Sequence, residues 1–444
     1  MTNLFLQIFV LICFLGVVVI LFFEERDYIY YTFIFILLGG LATAVFIPET
    51  RELKFYIEII EWEVIFFLIT MFTIVEILKE NKVFDEIARL VVVKYQNNLR
   101  AMFYIICIIS TLLATIVEDL SIALIFAPVI IVACRKLNIK PAAYLLGMTI
   151  CINIAATLTP FGSAQNILIS NEFGLEFLWF VIKLGPYFVI ALISTLILLD
   201  KFTLKNDINF CASHACAPEE IEGDTLLTEP SIEKPKFILN LIGLVIFIIL
   251  LIIIPEIYLA GLIGALIFVL INPVENRDGK KKLSLSKYLS HVDYKLIYFF
   301  MALFIFVGLL EANGIILFIE NIIANVSAEN EFVLAIIILI STSILSGLID
   351  NTPVTIIFIP IVRFLFNLPE FYLGPIVVAF ILGINLGGNF LPQGSAADLA
   401  TLEISRDNQV DDMSYRRLFK VGGVFALFHI LLGIGYIALL VFVF

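Results

Sequence analysis

Two polar motifs inside long apolar stretches carry side chains that could bind a cation or a proton. The first is Glu118-Asp119, and the second is Asp350-Asn351-Thr352. A carboxylate within a membrane costs at least about 2.5–3.5 kcal/mol, so an unpaired one indicates function. Neither motif contains a basic residue that would neutralise its acids. Because adjacent carboxylates repel each other and favour protonation of one of them, the motifs suit a site that exchanges H⁺ with Na⁺.

Each motif is followed by an apolar segment that polar and helix-breaking residues interrupt. In the first half these residues are Asn153, Thr157, Thr159, Pro160, Gly162, Ser163 and Asn166. In the second half they are Asn385, Asn389, Pro392, Gly394, Ser395 and Asp398. Proline lacks a backbone donor, and glycine tolerates unwinding. Such breaks free carbonyl groups that can coordinate Na⁺ and expose helix N-termini that attract anions.

These features recur because one unit of sequence occurs twice. Residues 118–166 align with residues 350–398 through a constant shift of 232 positions, without a gap. The shift places Asn153 on Asn385. A duplicated pair of polar, Gly/Pro-interrupted apolar segments points to the binding site of a transporter. We therefore interpret the chain as a secondary-active membrane transporter.

The composition agrees with a membrane protein. Of 444 residues, 61% are hydrophobic and only 15% are charged, against roughly a quarter charged in soluble proteins. The net charge of −12 argues against a nucleic-acid partner. The six cysteines indicate no disulfide framework, and no cofactor is expected beyond the transported or coupling Na⁺ or H⁺. Cys211, His214 and Cys216 lie close together but at a spacing unlike zinc motifs, and an acidic linker is the simpler interpretation.

Apolar segments of membrane length predict an all-α polytopic fold with about ten full spans and two hairpins. The spans lie at about 3–23, 28–47, 62–78, 141–170, 177–199, 237–254, 256–272, 294–312, 373–399 and 421–444. The hairpins cover 101–134 and 331–366, while 141–170 and 373–399 are broken helices. The predicted units are N-terminal helices (1–58), a first repeat (59–199), an acidic linker (200–236), linking helices (237–290) and a second repeat (291–444). The charged segments 80–98 and 400–420 are expected to lie along the inner surface as connecting helices.

Lysine and arginine predict the orientation, because they accumulate in cytoplasmic loops. Together with Arg26, the segments expected inside hold 23 of the 27 basic residues; they are 79–100, 135–140, 200–236, 273–295 and 401–420. We expect a multi-pass protein of the plasma membrane with its N-terminus outside and the linker 200–236 in the cytoplasm. The first hairpin then starts and ends inside and the second outside, as inverted-topology repeats should.

The hairpins have two structural interpretations. Their arms either span the membrane fully, with solvated acids in a surface turn, or stop at mid-depth as re-entrant hairpins. Only two to four polar residues separate the arms, which favours re-entrant hairpins. Their non-helical tips would then need protein or a water-filled cavity to shield them from lipid.

Three stretches resemble the ion transporter superfamily over about residues 60–420. SGLIDNTPVTIIFIP is similar to the hairpin motif of P-protein and D-type Na⁺/H⁺ antiporter branches. NIAATLTPFGSAQNILI resembles the unwound-helix motif, and NLGGNFLPQGSAADLA resembles its second-half counterpart in arsenite permeases. The superfamily also includes divalent anion/sodium symporters. This chain departs from the dicarboxylate carriers in having Glu118-Asp119 where they have Ser-Asn, and Ala155-Ala156 replaces the usual Gly-Gly.

The resemblance implies two inverted repeats, each with a re-entrant hairpin and a broken helix. It implies alternating access, often in homodimers. It also implies that Na⁺ binds between tip and break, with ligands among Asp119, Asn153, Ser163, Asn351, Thr352, Asn385 and Ser395.

The favoured function is that of a Na⁺/H⁺ antiporter, in which Glu118, Asp119 and Asp350 carry the exchanged ion. The alternative is Na⁺- or H⁺-coupled transport of a small anion such as arsenite, citrate or another dicarboxylate. The lack of a basic residue in the motifs does not exclude an anionic substrate, because helix N-termini can bind anions without one. A membrane-embedded enzyme is disfavoured because HExxH and GxSxG are absent, and a channel would give ohmic currents in place of saturable flux.

Overall fold

The computed structural model describes residues 4–20, 27–117, 119–205, 207, 232–275, 281–318, 330–349, 351–366, 373–410 and 412–443. Glu118, Asp350 and the Cys211/His214/Cys216 group lie outside these residues. Helices make up nearly all of the described chain. Six of the described helices are long and apolar enough to cross a membrane, and several shorter apolar helices accompany them. The predicted all-α polytopic membrane fold is therefore confirmed.

The helices before the connector are α1 (Leu4–Ile20), α2 (Tyr28–Phe46), α3 (Leu53–Ile59), α4 (Trp62–Glu80), α5 (Val83–Tyr95), α6 (Leu99–Ala114), α7 (Asp119–Lys136), α8 (Ala142–Ala155), α9 (Ala164–Phe173) and α10 (Phe177–Leu199). Those after it are α11 (Lys234–Ile253), α12 (Ile257–Ile271), α13 (Leu285–Leu289), α14 (Tyr294–Ala312), α15 (Glu331–Leu348), α16 (Asn351–Phe366), α17 (Leu373–Gly387), α18 (Ala396–Asp407) and α19 (Tyr415–Phe442). Between α12 and α13, β1 (Val274–Glu275) pairs antiparallel with β2 (Lys281–Lys282).

Helices α8 and α17 form the centre of the molecule. Every residue of α8 is buried, and so are residues 375–387 of α17. A helix that is apolar on most sides lies either in a protein core or against lipid, and neighbouring helices enclose these two. Helix α10 differs, because Ile182, Ile190 and Ile193 expose one apolar face along its length. That face suits contact with lipid.

Both central helices break at equivalent positions. Helix α8 ends at Ala155 and α9 begins at Ala164, while α17 ends at Gly387 and α18 begins at Ala396. Each pair of boundaries differs by the 232 positions that relate the two sequence units. At 1.5 Å per residue, the 14 residues of α8 reach about 21 Å, less than the ~30 Å thickness of a bilayer core.

The hairpin arms pack partly within and partly between the two units. Helix α6 packs on α8, and α15 packs on α17, so each first arm lies on the central helix of its own unit. The second arms cross over: α7 packs on α18, and α16 packs on α9. Each hairpin therefore contacts the broken helices of both units.

The structure differs from the prediction for the segment after the second break. The segment 400–420 was expected as a connecting helix along the inner surface. Instead α18 runs to Asp407 and a separate helix, α19, begins at Tyr415 with Ser414 as its N-cap. Because α18 starts at the break, residues 400–407 continue the broken helix.

Candidate functional site

Thr159 holds the first break against the tip of its own hairpin. Its hydroxyl accepts hydrogen bonds from the backbone N–H of Phe161 at 3.2 Å and of Gly162 at 2.9 Å. It also donates to the carbonyl of Thr115, which follows α6. These bonds supply partners that the unwound, buried backbone would otherwise lack.

A glycine at the same position of each break permits close approach of the hairpin. A Cβ added to Gly162 would lie 3.4 Å from the carbonyl oxygen of Ala114. A Cβ added to Gly394 would lie 2.7 Å from the carbonyl oxygen of Gly388 and 2.9 Å from that of Ser346. Ala114 and Ser346 are themselves equivalent in the duplicated sequence. Both units therefore use one kind of contact, and it is tighter in the second.

The two units exchange hydrogen bonds between serine and asparagine side chains. Ser395 Oγ donates to Asn153 Oδ1 at 2.9 Å, and Ser163 Oγ donates to Asn385 Oδ1 at 3.1 Å. Each bond joins the central helix of one unit to the residue just after the break of the other. The pairing is thus symmetric across the junction of the two repeats.

The amides of the same two asparagines complete this symmetry. Asn385 Nδ2 donates to Asn166 Oδ1 at 2.9 Å, and Asn153 Nδ2 reaches Asp398 Oδ1 at 3.4 Å. Asn166 and Asp398 are equivalent positions and are both buried. Six of the predicted site residues therefore lie together, although more than 200 positions separate the partners in the chain.

One half of the junction is acidic. Asp398 is only 1% exposed, and it accepts a hydrogen bond from the hydroxyl of Thr149. Asp119, the first residue of α7, is near enough for its charge to act on Asp398. Asn389 Oδ1 accepts from Asn153 at 2.8 Å, while the buried Asn389 Nδ2 has no partner among the described residues. We call Asp119, Thr149, Asn153, Asn389, Ser395 and Asp398 the acidic cluster.

The other half of the junction is built from neutral amides. Gln165 Nε2 donates to Asn385 Oδ1 at 3.3 Å. With the Asn351 amide turned to suit its neighbours, Asn351 accepts from Gln165 at 3.1 Å and donates to the Gly394 carbonyl at 3.0 Å. We call Ser163, Gln165, Asn166, Asn351 and Asn385 the amide cluster.

The two clusters differ in charge at two equivalent positions. Asp119 of the acidic cluster corresponds to Asn351, and Asp398 corresponds to Asn166. Oxygen atoms predominate in both clusters, and no basic side chain belongs to either within the described part of the chain. Carboxylate, amide and hydroxyl oxygens are the ligands that hard cations prefer.

Four other predicted site residues have different surroundings. The Thr157 hydroxyl donates to the carbonyl of Ile154 in its own helix at 2.8 Å. Thr352 is buried in the first turn of α16. Gly162 and Gly394 contribute close packing. Glu118 and Asp350 fall outside the described residues, so their placement stays a prediction.

Thr149 and Gln165 belong to the clusters although the sequence did not single them out as site residues. Thr149 precedes Asn153 by four residues and so lies on the same helix face. That spacing was a usable signal. Gln165 stands between Ser163 and Asn166 in an apolar segment, and its polarity was the corresponding signal.

Comparison with known proteins places the chain among membrane transporters. The family described as CitMHS, citrate transporter, matches residues 9–363 and 257–444. The 46 kDa membrane protein of Mycobacterium leprae is 27% identical over 355 residues, covering 78% of this chain and 79% of that protein. An uncharacterized transporter of Methanocaldococcus jannaschii is 24% identical over 91% of this chain and 97% of its own. The P protein of Sus scrofa is 24% identical over 87% of this chain and 54% of its own.

Proposed function

This chain belongs to the citrate transporter family, and we propose that it is a secondary-active transporter coupled to Na⁺ and H⁺, of the Na⁺/H⁺ antiporter type. The observation that carries the proposal is the acidic cluster, where Asp119 and Asp398 come from opposite repeats into a buried junction. A carboxylate buried as deeply as that of Asp398, with a second acid close enough to repel it, needs a bound cation or a proton to balance its charge.

Competition between the two ions for the cluster would couple their movements. Without Na⁺, repulsion between the carboxylates favours a proton on one of them. Na⁺ would bind the same carboxylate oxygens, together with amide and hydroxyl oxygens of Asn153 and Ser395, and release that proton. Because the ligands come from both repeats, movement of one bundle against the other would present the site to each side in turn.

The amide cluster would take a different part in transport. Its Asn351 and Asn166 carry no charge where the acidic cluster has carboxylates. We therefore expect it to bind cations more weakly than the acidic cluster and to hold the second hairpin against the break.

A second candidate function is uptake of citrate or a related dicarboxylate, driven by Na⁺ or H⁺. Two observations favour it: the description of the matching family, and the unpartnered, buried Nδ2 of Asn389. That group would donate a hydrogen bond to an oxygen of an anionic substrate. The N-termini of α9 and α18 would add favourable dipoles.

Flux in proteoliposomes tests the antiport proposal. A pH indicator is trapped inside, and Na⁺ or Li⁺ is added outside. Antiport predicts that the lumen becomes alkaline as protons leave. Asp398→Asn, which copies the neutral residue at the equivalent position of the amide cluster, should abolish this response. Asp407→Asn, an exposed carboxylate at the far end of the same helix, is the matched control and should retain it.

Uptake of labelled citrate in the same vesicles separates the two candidates. Symport predicts that citrate accumulates only when Na⁺ is present and that Na⁺ alone changes no lumenal pH. That combination would replace the antiport proposal by symport. If Asp398→Asn left both responses intact, the acidic cluster would not be the coupling site.

A further inference from the structure

A lysine-rich cavity of about 840 Å³ lies at one end of the helix bundle, away from the two clusters. The ends of α4, α11 and α12 form its walls together with the β1–β2 hairpin and α13. Among the described residues, its lining includes Lys82, Lys236, Lys281 and Lys287, and against them only Glu80 and Glu233. This described lining therefore carries two excess positive charges.

Two of the walls are fixed by a buried pair of asparagines. Asn240 in α11 and Asn272 after α12 exchange side-chain hydrogen bonds of 3.2 and 2.8 Å, and neither is exposed. Asn240 also donates to the carbonyl of Lys236 at 2.9 Å. The Tyr288 hydroxyl donates to the carbonyl of Asn272 at 2.9 Å. This network holds the backbone of Lys236 in place before any ligand arrives.

Only one of the four lysines forms an ion pair within the described chain, although Lys82 also lies near enough to Asp85 for its charge to act on that carboxylate. Lys287 Nζ pairs with Glu80. Lys82, Lys236 and Lys281 form no ion pair with a described residue. Three ammonium groups around one cavity provide an electrostatic site for an anion, and lysine is a common point-charge partner of phosphate.

The cavity also reaches the apolar surface that faces lipid. Leu239 lines it and is 45% exposed. Ile238 and Ile242, which follow the same helix outward, are also exposed. A ligand could therefore place an anionic headgroup among the lysines and its hydrocarbon chains along α11. Basic pockets between membrane helices bind lipid headgroups in this way.

We infer that the cavity binds the phosphate of an anionic phospholipid, whose acyl chains lie along α11. The phospholipid would link α11, α12 and α4 at their charged ends. This inference does not depend on the transported substrate.

Native mass spectrometry of the full chain in detergent, titrated with phosphatidylglycerol, tests the site. The triple variant K82Q/K236Q/K281Q should bind the lipid at least tenfold more weakly. A control triple, K94Q/K205Q/K420Q, removes three exposed lysines that do not line the cavity and should bind like the parent. Thermal unfolding without lipid checks that both variants fold alike.

Parallel titrations with phosphatidylcholine and with glycerol 3-phosphate identify the ligand. The inference requires weak binding of both compared with phosphatidylglycerol. Equal binding of phosphatidylglycerol by the two triple variants would overturn the site. Glycerol 3-phosphate binding as tight as that of the lipid would overturn the phospholipid assignment in favour of a soluble phosphate compound.

Discussion

Asn153 and Asn385 illustrate how single residues join the two repeats. Each amide group both donates and accepts across the junction, so each bonds three residues of the opposite unit. An asparagine buried among apolar helices must use its donors and acceptors, because an unmade hydrogen bond there costs about 1–3 kcal/mol. Asn153 donates to Asp398, whereas Asn385 donates to Asn166 at the equivalent position, which carries no charge.

The charge difference predicts unequal effects of removing the two amides. Asn153→Ala should raise the Na⁺ concentration for half-maximal antiport at least tenfold, because this side chain supports Asp398 directly. Asn385→Ala should change it about threefold or less while lowering thermal stability, since it removes one hydrogen bond from each of Ser163, Gln165 and Asn166. The Na⁺ dependence of lumenal alkalinisation in proteoliposomes measures both.

Asn313→Ala provides the control for these two variants. Asn313 is buried and bonded to Thr43 at 2.9 Å, but it lies outside both clusters. It should lower stability without shifting the Na⁺ dependence. Equal shifts for Asn153→Ala and Asn385→Ala would contradict the functional difference between the clusters.

At the scale of elements, helix breaks and hairpins create the junction. Each break ends a central helix, and the tip of a hairpin lies beside the break. Because the second arms α7 and α16 cross to the opposite unit, a tip and the broken helix of the other repeat form each cluster together. The glycines at the breaks determine how closely tip and break approach.

Replacing those glycines should therefore impair transport to different degrees. Gly394→Ala would place a methyl group 2.7 and 2.9 Å from two backbone oxygens, which cannot easily move. We expect at least a tenfold loss of maximal transport rate and a lower Tm. Gly162→Ala, with contacts of 3.2 Å or more, should be milder. Gly435→Ala in α19 meets nothing within 4 Å and should behave as the parent; flux and thermal unfolding measure all three.

An ion pair joins the C-terminal ends of α9 and α16, which belong to different repeats. Arg363 Nε lies 2.5 Å from Glu172 Oε1, with side-chain exposures of 48% and 17%. Partly exposed pairs contribute about 0.2–1 kcal/mol. A double-mutant cycle with Glu172→Gln and Arg363→Gln, read by unfolding in detergent, should give a coupling in this range that weakens with salt. The exposed pair Lys54–Glu58 is the control, and its coupling energy should be about zero. Equal coupling energies for the two pairs would show that the interhelical ion pair does not stabilise the fold.

At the scale of the whole molecule, charge is distributed unequally between the two ends of the bundle. The lysine-lined cavity lies at the end where α4 and α12 stop and α11 starts. The positive-inside rule predicts that this end faces the cytoplasm. The turn between α9 and α10, which contains Glu176, should then face outward, and the turn between α5 and α6, which contains Gln96, should face inward.

Cysteine labelling tests this orientation. In a background with Cys211 and Cys216 replaced by serine, a membrane-impermeant maleimide added to intact cells should label the Glu176→Cys variant and not the Gln96→Cys variant. Permeabilised cells should show labelling of both. The reverse pattern would mean that the topology is inverted, and labelling of both in intact cells would contradict a single orientation.

Much of the fold was accessible from the sequence because its signals are local. Helix breakers and polar residues at a constant offset predicted where α8 and α17 would break, since proline and glycine act on the backbone where they stand. The apolar runs predicted the helices for the same reason. The positions of α3, the β1–β2 hairpin and the end of α18 were not predicted, because short polar connections carry weak periodic signals.

The sequence alone determined that the protein is a duplicated, helical membrane transporter with polar breaks in both halves. Only the tertiary structure decided which tip meets which break. The crossing of α7 onto α18 and of α16 onto α9 depends on packing between segments that lie far apart in the chain, and no local pattern records it. That crossing gathers Asp119 and Asp398 into one cluster and their neutral counterparts Asn351 and Asn166 into the other.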